Sequence, residues 1–204
     1  MLILGLTGSI GMGKSAAAAH LKAGGIPVFD ADAEVRRLYA GAAVPLIAAA
    51  FPGVVQGGVV DRSALAAQLG ASQDAFAKLE AIVHPLVRQA ERVFLIQHHE
   101  AGAPLAVLEI PLLYETGADQ LTDAVMVVTT DAASQRARVL ARPGMTVARL
   151  NAILARQLSD AVKRARADFL VDTTGAVADT QAQINQALVT MKNRPAQAFA
   201  RSWG

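Results

Sequence analysis

The sequence predicts an α/β fold of three layers, in which helices cover both faces of a five-stranded parallel sheet. Short apolar runs alternate along the chain with longer stretches of helical periodicity. Strands that are apolar on both faces and separated by helices are typical of parallel sheets. The runs interpreted as strands are LILGL (2–6), IPVF (26–29), LAVLE (105–109), AVMVV (124–128) and DFLV (168–171).

Helices are predicted between these strands from periodicity and from their start and stop signals. The predicted ranges are 15–23, about 32–38, several segments between 63 and 101, then 132–141, 146–166 and 177–192. The last ten residues follow a helix-stopping proline, so they are expected to be loosely ordered. The whole chain, 1–204, is predicted to be a single domain that carries two insertions.

The first strand leads directly into a glycine loop, GSIGMGKS. Its spacing, GxxxxGK[ST], is that of a P-loop. In a P-loop the backbone amides and the positive end of the next helix cradle phosphate, the lysine reaches the β- and γ-phosphates, and the serine coordinates Mg²⁺. The pattern predicts an ATP site with Lys14 as a catalytic residue and Ser15 as the metal ligand. The residues predicted to contact the nucleotide are Gly8, Gly11, Met12, Gly13, Lys14, Ser15 and Ala16.

A second glycine pattern overlaps the first. The sequence GxGxxA at 11–16 could open a dinucleotide-binding fold, and Asp30 follows near the distance at which such folds bind a ribose hydroxyl. An NAD(P)-binding oxidoreductase is therefore an alternative. Lys14 and Ser15 favour the P-loop, because a dinucleotide has no terminal phosphate that needs such a lysine.

Carboxylates follow the second and third predicted strands. Ligands of parallel-sheet enzymes bind outside the carboxyl ends of strands, so Asp30 and Asp32 are expected at the phosphate-binding crevice, with Asp30 also capping the next helix. Glu109 ends the third strand, where many P-loop proteins place a carboxylate near the Mg²⁺ water shell. Roughly seventy-five residues separate these two strands, more than one crossover needs. The segment at about 33–103 is predicted to be a helical substrate-binding insertion.

Arginines are concentrated in the stretch 136–166. Arg138 and Arg142 share a helix face, a Pro-Gly pair then breaks the helix, and Thr146 can cap the next one. Two arginine-bearing helices joined by such a hinge are typical of a lid that closes over polyphosphate. The lid is predicted at about 131–166, with Arg138 and Arg142 as catalytic residues that neutralise phosphate charge. The more distal basic residues are expected on the surface.

Composition excludes several classes of protein. The chain has no cysteine, which rules out disulfides and thiolate metal sites. Its 4% aromatic content and net charge of +2 do not favour a nucleic-acid partner. We find no secretory signal and no apolar run long enough to cross a membrane. A soluble, cytoplasmic protein without a membrane partner is expected, and its oligomeric state stays open.

Five segments, taken in order, resemble the dephospho-CoA kinases, the last enzymes of coenzyme A synthesis. They are GLTGSIGMGKS, FDADAEVR, HPLV, LEIPLLYE and the ARPGMT…Q stretch before ADFLVD. The resemblance runs from residue 3 to about residue 175. It implies a P-loop NTPase fold and Mg²⁺-dependent transfer of the ATP γ-phosphate to the ribose 3′-hydroxyl of dephospho-CoA.

The resemblance also implies roles for individual residues. Asp32 matches the general base that accepts the proton of the 3′-hydroxyl. Family members often carry an asparagine directly after the aspartate that matches Asp172, whereas this chain has Thr173. The residues expected to contact the acceptor are Thr7, Asp32, Arg62, His84, Pro111, Leu112 and Leu113.

Two other functions share part of this pattern. Another small-molecule or nucleotide kinase of the P-loop class would have the P-loop and the lid but not the HP and PLLYE segments. A nucleotide-binding switch would need the guanine-specific Asn-Lys-x-Asp sequence, which the chain lacks.

Overall fold

The central sheet has five strands in the order β2-β5-β1-β6-β7, and a separate two-stranded sheet pairs β3 with β4. In chain order the strands are β1 (Leu2–Thr7), β2 (Val28–Asp30), β3 (Val55–Gln56), β4 (Val59–Val60), β5 (Leu105–Glu109), β6 (Ala124–Thr129) and β7 (Phe169–Asp172). The pairs β1–β5, β1–β6 and β6–β7 are parallel. The predicted five-stranded parallel sheet is confirmed, with strand ends displaced by one or two residues.

Ten α-helices occur in the part of the chain that the computed structural model describes, residues 1–70 and 72–204. They are α1 (Lys14–Ala23), α2 (Ala31–Leu38), α3 (Val44–Ala50), α4 (Arg62–Leu69), α5 (Gln73–Glu100), α6 (Ala132–Leu140), α7 (Val147–Leu154), α8 (Asp160–Arg166), α9 (Val177–Met191) and α10 (Ala198–Ser202), with a 3₁₀ helix at Ala118–Leu121. None of them, over these residues, combines the length and apolarity that a bilayer crossing requires.

The described residues form two compact units. The first comprises Met1–Phe29 and Leu95–Gly204, and the second comprises Asp30–Phe94. In the first unit, apolar side chains of β1, β6 and β7 pack against α1 and α9, with Leu4, Met126 and Ile184 among the residues almost fully withdrawn from solvent. The second unit overlaps the insertion predicted at about 33–103 but ends earlier, because the last turns of α5 belong to the first unit.

Two predictions of local structure are wrong. The helix predicted over 146–166 is divided into α7 and α8, because Gln157 and Leu158 make hydrogen bonds to other segments and Ser159 caps α8. The expected loose C-terminus instead forms α10, followed by Trp203, which is buried and donates its indole N–H to the Leu121 carbonyl at 2.9 Å.

The sequence did not predict α3 or the β3–β4 hairpin. Pro45 lies in the first turn of α3, where a missing N–H breaks no helical hydrogen bond. The hairpin strands have only two residues each, so their alternation is too short to detect. Val54 and Val60 nevertheless belong to the apolar core of the second unit, together with Ile47 and Leu65.

A buried carboxyl group in α5 makes the stability of the second unit depend on pH. Glu91 is 2% exposed and pairs with Arg88 at 2.9 Å. Burial raises the pKa of Glu91 from 4.5 to about 7, and the neighbouring arginine only partly opposes this. The folded chain therefore binds this proton more tightly than the unfolded chain does, and stability falls as the pH rises from 4.5 towards about 7.

Replacing Glu91 with glutamine is expected to remove this dependence. The free energy of unfolding of the wild type should fall by on the order of 3 kcal/mol more than that of Glu91→Gln across the interval. Urea denaturation at several pH values measures the difference. Glu80→Gln, an exposed site on the same helix, should behave like the wild type. The expectation would be contradicted if the free energy of unfolding changed equally with pH in the wild type and in Glu91→Gln.

Candidate active site

The loop between β1 and α1 presents backbone amides to a ligand. Gly13 is the N-cap of α1, in the left-handed region at φ 89° and ψ 12°. It has no side chain to accept hydrogen bonds from the first two amides of α1, those of Lys14 and Ser15, whereas the Ala16 N–H donates to the Gly13 carbonyl at 3.0 Å. Together with the helix dipole, these groups form a site suited to a phosphate anion.

Neighbouring residues pack so closely against the loop glycines that no side chain fits there. A Cβ on Gly8 would lie 2.5 Å from Val128 Cγ2 and 2.7 Å from the Val128 carbonyl oxygen. A Cβ on Gly11, at φ 80°, would lie 2.5 Å from Val139 Cγ2. The glycines therefore allow β6 and α6 to pack directly on the loop, in addition to leaving its amides open.

Two glutamine side chains hold the backbone of Ile10 in the loop. The Ile10 N–H donates to Gln157 Oε1 at 3.1 Å, and Gln135 Nε2 donates to the Ile10 carbonyl at 2.8 Å. Gln135 lies on α6, and Gln157 lies between α7 and α8. Two residues of the predicted lid thus bind both the N–H and the carbonyl group of Ile10.

Met12 differs from the other residues predicted to contact the nucleotide. Its side chain is 3% exposed and belongs to the apolar core, and its sulfur accepts a hydrogen bond from the Thr130 N–H. Its own N–H donates to the Ser9 carbonyl at 3.1 Å. Ser15 and Ala16, by contrast, are exposed at the start of α1.

A short ion pair lies beside the loop. Lys14 Nζ is 2.6 Å from Glu109 Oε1, and the two side chains are 14% and 4% exposed. Glu109 is the last residue of β5, so the parallel sheet brings its carboxylate next to the start of α1. From the sequence, Glu109 is expected near the water shell of Mg²⁺, and its contact with Lys14 is not predicted.

Side chains from two other segments bind the backbone of the segment that follows β5. The Pro111 carbonyl accepts from Thr7 Oγ1 at 3.1 Å and from Lys163 Nζ at 3.4 Å. Leu113 is fully buried, and a Cβ on Gly5 would meet it at 2.5 Å. Leu113 is therefore a core residue, whereas Leu112 and Pro111 remain partly exposed and able to contact a ligand.

Lys163 corrects the expectation that the distal basic residues lie on the surface. Its side chain is 0% exposed and lies 2.9 Å from Glu115 Oε1. The same oxygen accepts the Leu158 N–H at 2.7 Å. This cluster attaches α8 and the α7–α8 connection to the segment after β5. The pattern of basic residues could not reveal it, because the counter-ion lies far away in the sequence.

The two arginines predicted for the lid have different environments. Arg138 on α6 donates from Nη1 to Thr173 Oγ1 at 3.0 Å and from Nη2 to the Thr173 carbonyl at 2.6 Å. Arg142 follows α6 and is exposed. Thr146 caps α7 by accepting the Arg149 N–H, which confirms the predicted cap.

The second unit contains a pocket of about 300 Å³ beside the DAD sequence. Asp30 caps α2 by accepting the Ala33 N–H at 2.8 Å, as predicted, while Asp32 is exposed in the first turn of α2. Burial raises the pKa of Tyr39, and the nearby Arg62 guanidinium partly opposes this. The lining residues are Asp32, Val35, Arg36, Tyr39, Arg62, Leu65, Ala66, Leu69 and Leu79. Their two guanidinium groups suit an anionic ligand.

His84, the other acceptor contact expected in this unit, is exposed on α5 and is not among the residues that line the pocket. Arg36 and Tyr39 line it although the sequence analysis did not select them. Their positions follow from the helical spacing of α2, since residues 32, 36 and 39 share one face.

Within residues 1–70 and 72–204, no cluster of three metal-binding side chains occurs. Mg²⁺ with a bound nucleotide needs few protein ligands, because phosphate oxygens and water complete its coordination. The exposed hydroxyl of Ser15 at the start of α1 fits this requirement.

Comparison with known proteins identifies the family. The profile of the dephospho-CoA kinase family matches residues 2–179. The dephospho-CoA kinase of Brucella melitensis is 50% identical over 198 residues, which cover 97% of this chain and 99% of that protein. The crystal structure of TT1252 from Thermus thermophilus superposes with a TM-score of 0.82 at 34% identity, covering 93% of this chain and 96% of that one.

A shikimate kinase from Acinetobacter baumannii shares the fold, with a TM-score of 0.52 at 19% identity over 95% of this chain and 96% of that one. The chain has the P-loop kinase fold and belongs to the dephospho-CoA kinase family.

Breaking the buried pair of Lys163 and Glu115 is expected to destabilise the first unit. Lys163→Met should lower the free energy of unfolding by about 3 kcal/mol, because it leaves a poorly exposed carboxylate without its cation. Lys163→Met combined with Glu115→Gln should regain most of the loss. Urea denaturation followed by circular dichroism measures both.

Arg164→Met on the same helix is the matched control. Arg164 is 54% exposed and lies 4.0 Å from Asp160, so its loss should cost less than about 1 kcal/mol. Equal effects of Arg164→Met and Lys163→Met would show that the buried pair does not stabilise the fold.

Proposed function

We propose that the chain transfers the γ-phosphate of ATP to the ribose 3′-hydroxyl of dephospho-CoA, giving coenzyme A and ADP. The observation that carries this proposal is the match to dephospho-CoA kinases over nearly the whole chain. The P-loop, with its lysine beside open amides, supports ATP as the phosphate donor. We expect the reaction to take place in the cytoplasm.

Lys14 is the residue that would hold the β- and γ-phosphates. Its ammonium group is paired with Glu109, so binding of the nucleotide exchanges a carboxylate for phosphate oxygens. The amides of Gly11, Gly13, Lys14 and Ser15 would surround the same phosphates, since those of Met12 and Ala16 donate within the loop. Phosphoryl transfer depends mainly on positioning and on neutralisation of charge, and these groups supply both.

Ser15 is the residue of this chain that would hold Mg²⁺, which neutralises phosphate charge when it is bound. Glu109 would be free to accept hydrogen bonds from water near Mg²⁺ if Lys14 moved from it to phosphate. The Mg²⁺ requirement rests on the donor set and on the chemistry of ATP.

Asp32 would orient the acceptor hydroxyl or accept its proton. The pocket beside it carries Arg36 and Arg62, which suit the diphosphate of dephospho-CoA, and Tyr39, whose ring and hydroxyl suit a nucleoside. Further acceptor contacts are proposed for His84, Pro111 and Leu112, whereas the predicted contact Thr7 is fully buried and would act only by holding the Pro111 carbonyl.

The lid would complete the site when both substrates are bound. Arg142 is exposed and free to approach the transferred phosphoryl group, and Arg138 would act from α6. Closure excludes water, which limits hydrolysis of ATP.

Removing the lysine of the P-loop is expected to abolish turnover. Lys14→Ala should lower kcat/KM by about 1000-fold or more, because it removes charge stabilisation at the transferred phosphate. Formation of coenzyme A and ADP from dephospho-CoA and MgATP measures the effect. Lys22→Ala, an exposed site on the same helix, is the control. Wild-type protein that phosphorylates another alcohol but not dephospho-CoA would instead identify a different kinase of the P-loop class.

Replacing the proposed base tests the second half of the mechanism. Asp32→Asn should lower kcat by about 100-fold, because the amide cannot accept the hydroxyl proton, while the KM for ATP should change little. Asp74→Asn, which is exposed in the first turn of α5, is the control. A near-normal rate in Asp32→Asn would remove Asp32 as the base.

A further inference from the structure

The side chain of Thr173 lies where the P-loop, β6 and α6 meet. Its buried hydroxyl is 3.0 Å from the Met12 carbonyl and 3.1 Å from the Thr129 carbonyl. Arg138 approaches from α6, with Nη1 3.0 Å from the hydroxyl and Nη2 2.6 Å from the Thr173 carbonyl. One threonine therefore contacts the nucleotide loop and a lid arginine.

The chemistry of these groups fixes the direction of the hydrogen bonds. A guanidinium group can only donate, so the Thr173 hydroxyl accepts from Arg138 and gives its single proton to a carbonyl. The Thr129 carbonyl already accepts the Thr173 N–H at 2.8 Å. We therefore assign the hydroxyl proton to the hydrogen bond with the Met12 carbonyl. Arg138 then donates to Thr173, and Thr173 donates to the P-loop.

Packing supports the same connection. A Cβ on Gly13 would lie 3.0 Å from Thr173 Oγ1 and 3.1 Å from its Cγ2. Thr173 therefore touches both residues that precede Lys14 in the loop. Two hydrogen bonds of 3.0 Å link the arginine to the Met12 carbonyl, so movement of one group shifts the other.

We propose that Thr173 is a positioning residue for phosphoryl transfer. It fixes the Met12–Gly13 corner of the P-loop and aims the Arg138 guanidinium at the phosphates of the same nucleotide. The proposal rests on the proposed function for the ligand, a nucleoside triphosphate. It assigns Arg138 a position held by Thr173, in contrast to Arg142, which lies beyond the end of α6.

Binding of MgATP in the absence of acceptor tests the proposal by isothermal titration calorimetry. Thr173→Val keeps the shape of the side chain and removes the hydroxyl, and it should weaken binding by about tenfold. Thr173→Ser keeps the hydroxyl and should bind within about twofold of the wild type. Thr174→Val makes the same change one residue later, where the hydroxyl contacts Thr130 and not the loop, and it should also stay within about twofold.

A double-mutant cycle separates positioning from general stability. If Thr173 acts through Arg138, Thr173→Val should weaken MgATP binding much less in an Arg138→Ala background than in the wild type. In steady-state kinetics Thr173→Val should raise the KM for ATP and leave the KM for dephospho-CoA unchanged. Thr173→Ala replaces Thr173→Val in all arms if the valine variant does not fold.

Three results would overturn the proposal: unchanged MgATP binding in Thr173→Val, an equal loss in Thr174→Val, or additive effects of Thr173→Val and Arg138→Ala. Failure of the proposed function has a different signature. In that case the wild type would form no coenzyme A from dephospho-CoA, while the titrations with MgATP would still report on Thr173.

Discussion

The glycine loop can present its amides to phosphate only if its backbone is held in place. Its glycines have no side chains that could do this. Gly8 and Gly11 have no room for a Cβ, because β6 and α6 pack against them. The loop is held instead by side chains from elsewhere, namely Gln135, Gln157 and Thr173. The order of the parallel strands and the placement of α6 therefore decide whether the amides converge on one point.

The sequence predicted what depends on local chemistry and periodicity. The five strands, the P-loop and the caps at Asp30 and Thr146 follow from residues close together in the chain. The sequence could not predict features that depend on contacts between residues far apart in the chain. Lys163 resembles any basic surface residue until Glu115 is brought beside it, and Trp203 has no visible reason to be ordered until it reaches Leu121.

One stretch of basic residues thus serves several physical purposes. Lys163 neutralises a buried carboxylate, and Arg166 lies over the Tyr114 ring at 4.2 Å while pairing with Asp119. Arg138 donates to Thr173 beside the loop, and Arg142 is exposed beyond the end of α6. Charge density along a sequence therefore identifies a region suited to anions but does not assign individual roles, since burial and counter-ions separate them.

The pairing of Lys14 with Glu109 has a consequence for the catalytic cycle. A nearly buried ammonium ion is costly without a counter-ion, so the carboxylate and the nucleotide compete for it. If Lys14 binds phosphate as proposed, a ligand of low charge would displace Glu109 poorly, and the site would favour triphosphate over weaker anions. Return of the carboxylate to the lysine after transfer would assist departure of ADP. Product release would then include an ion exchange within the protein.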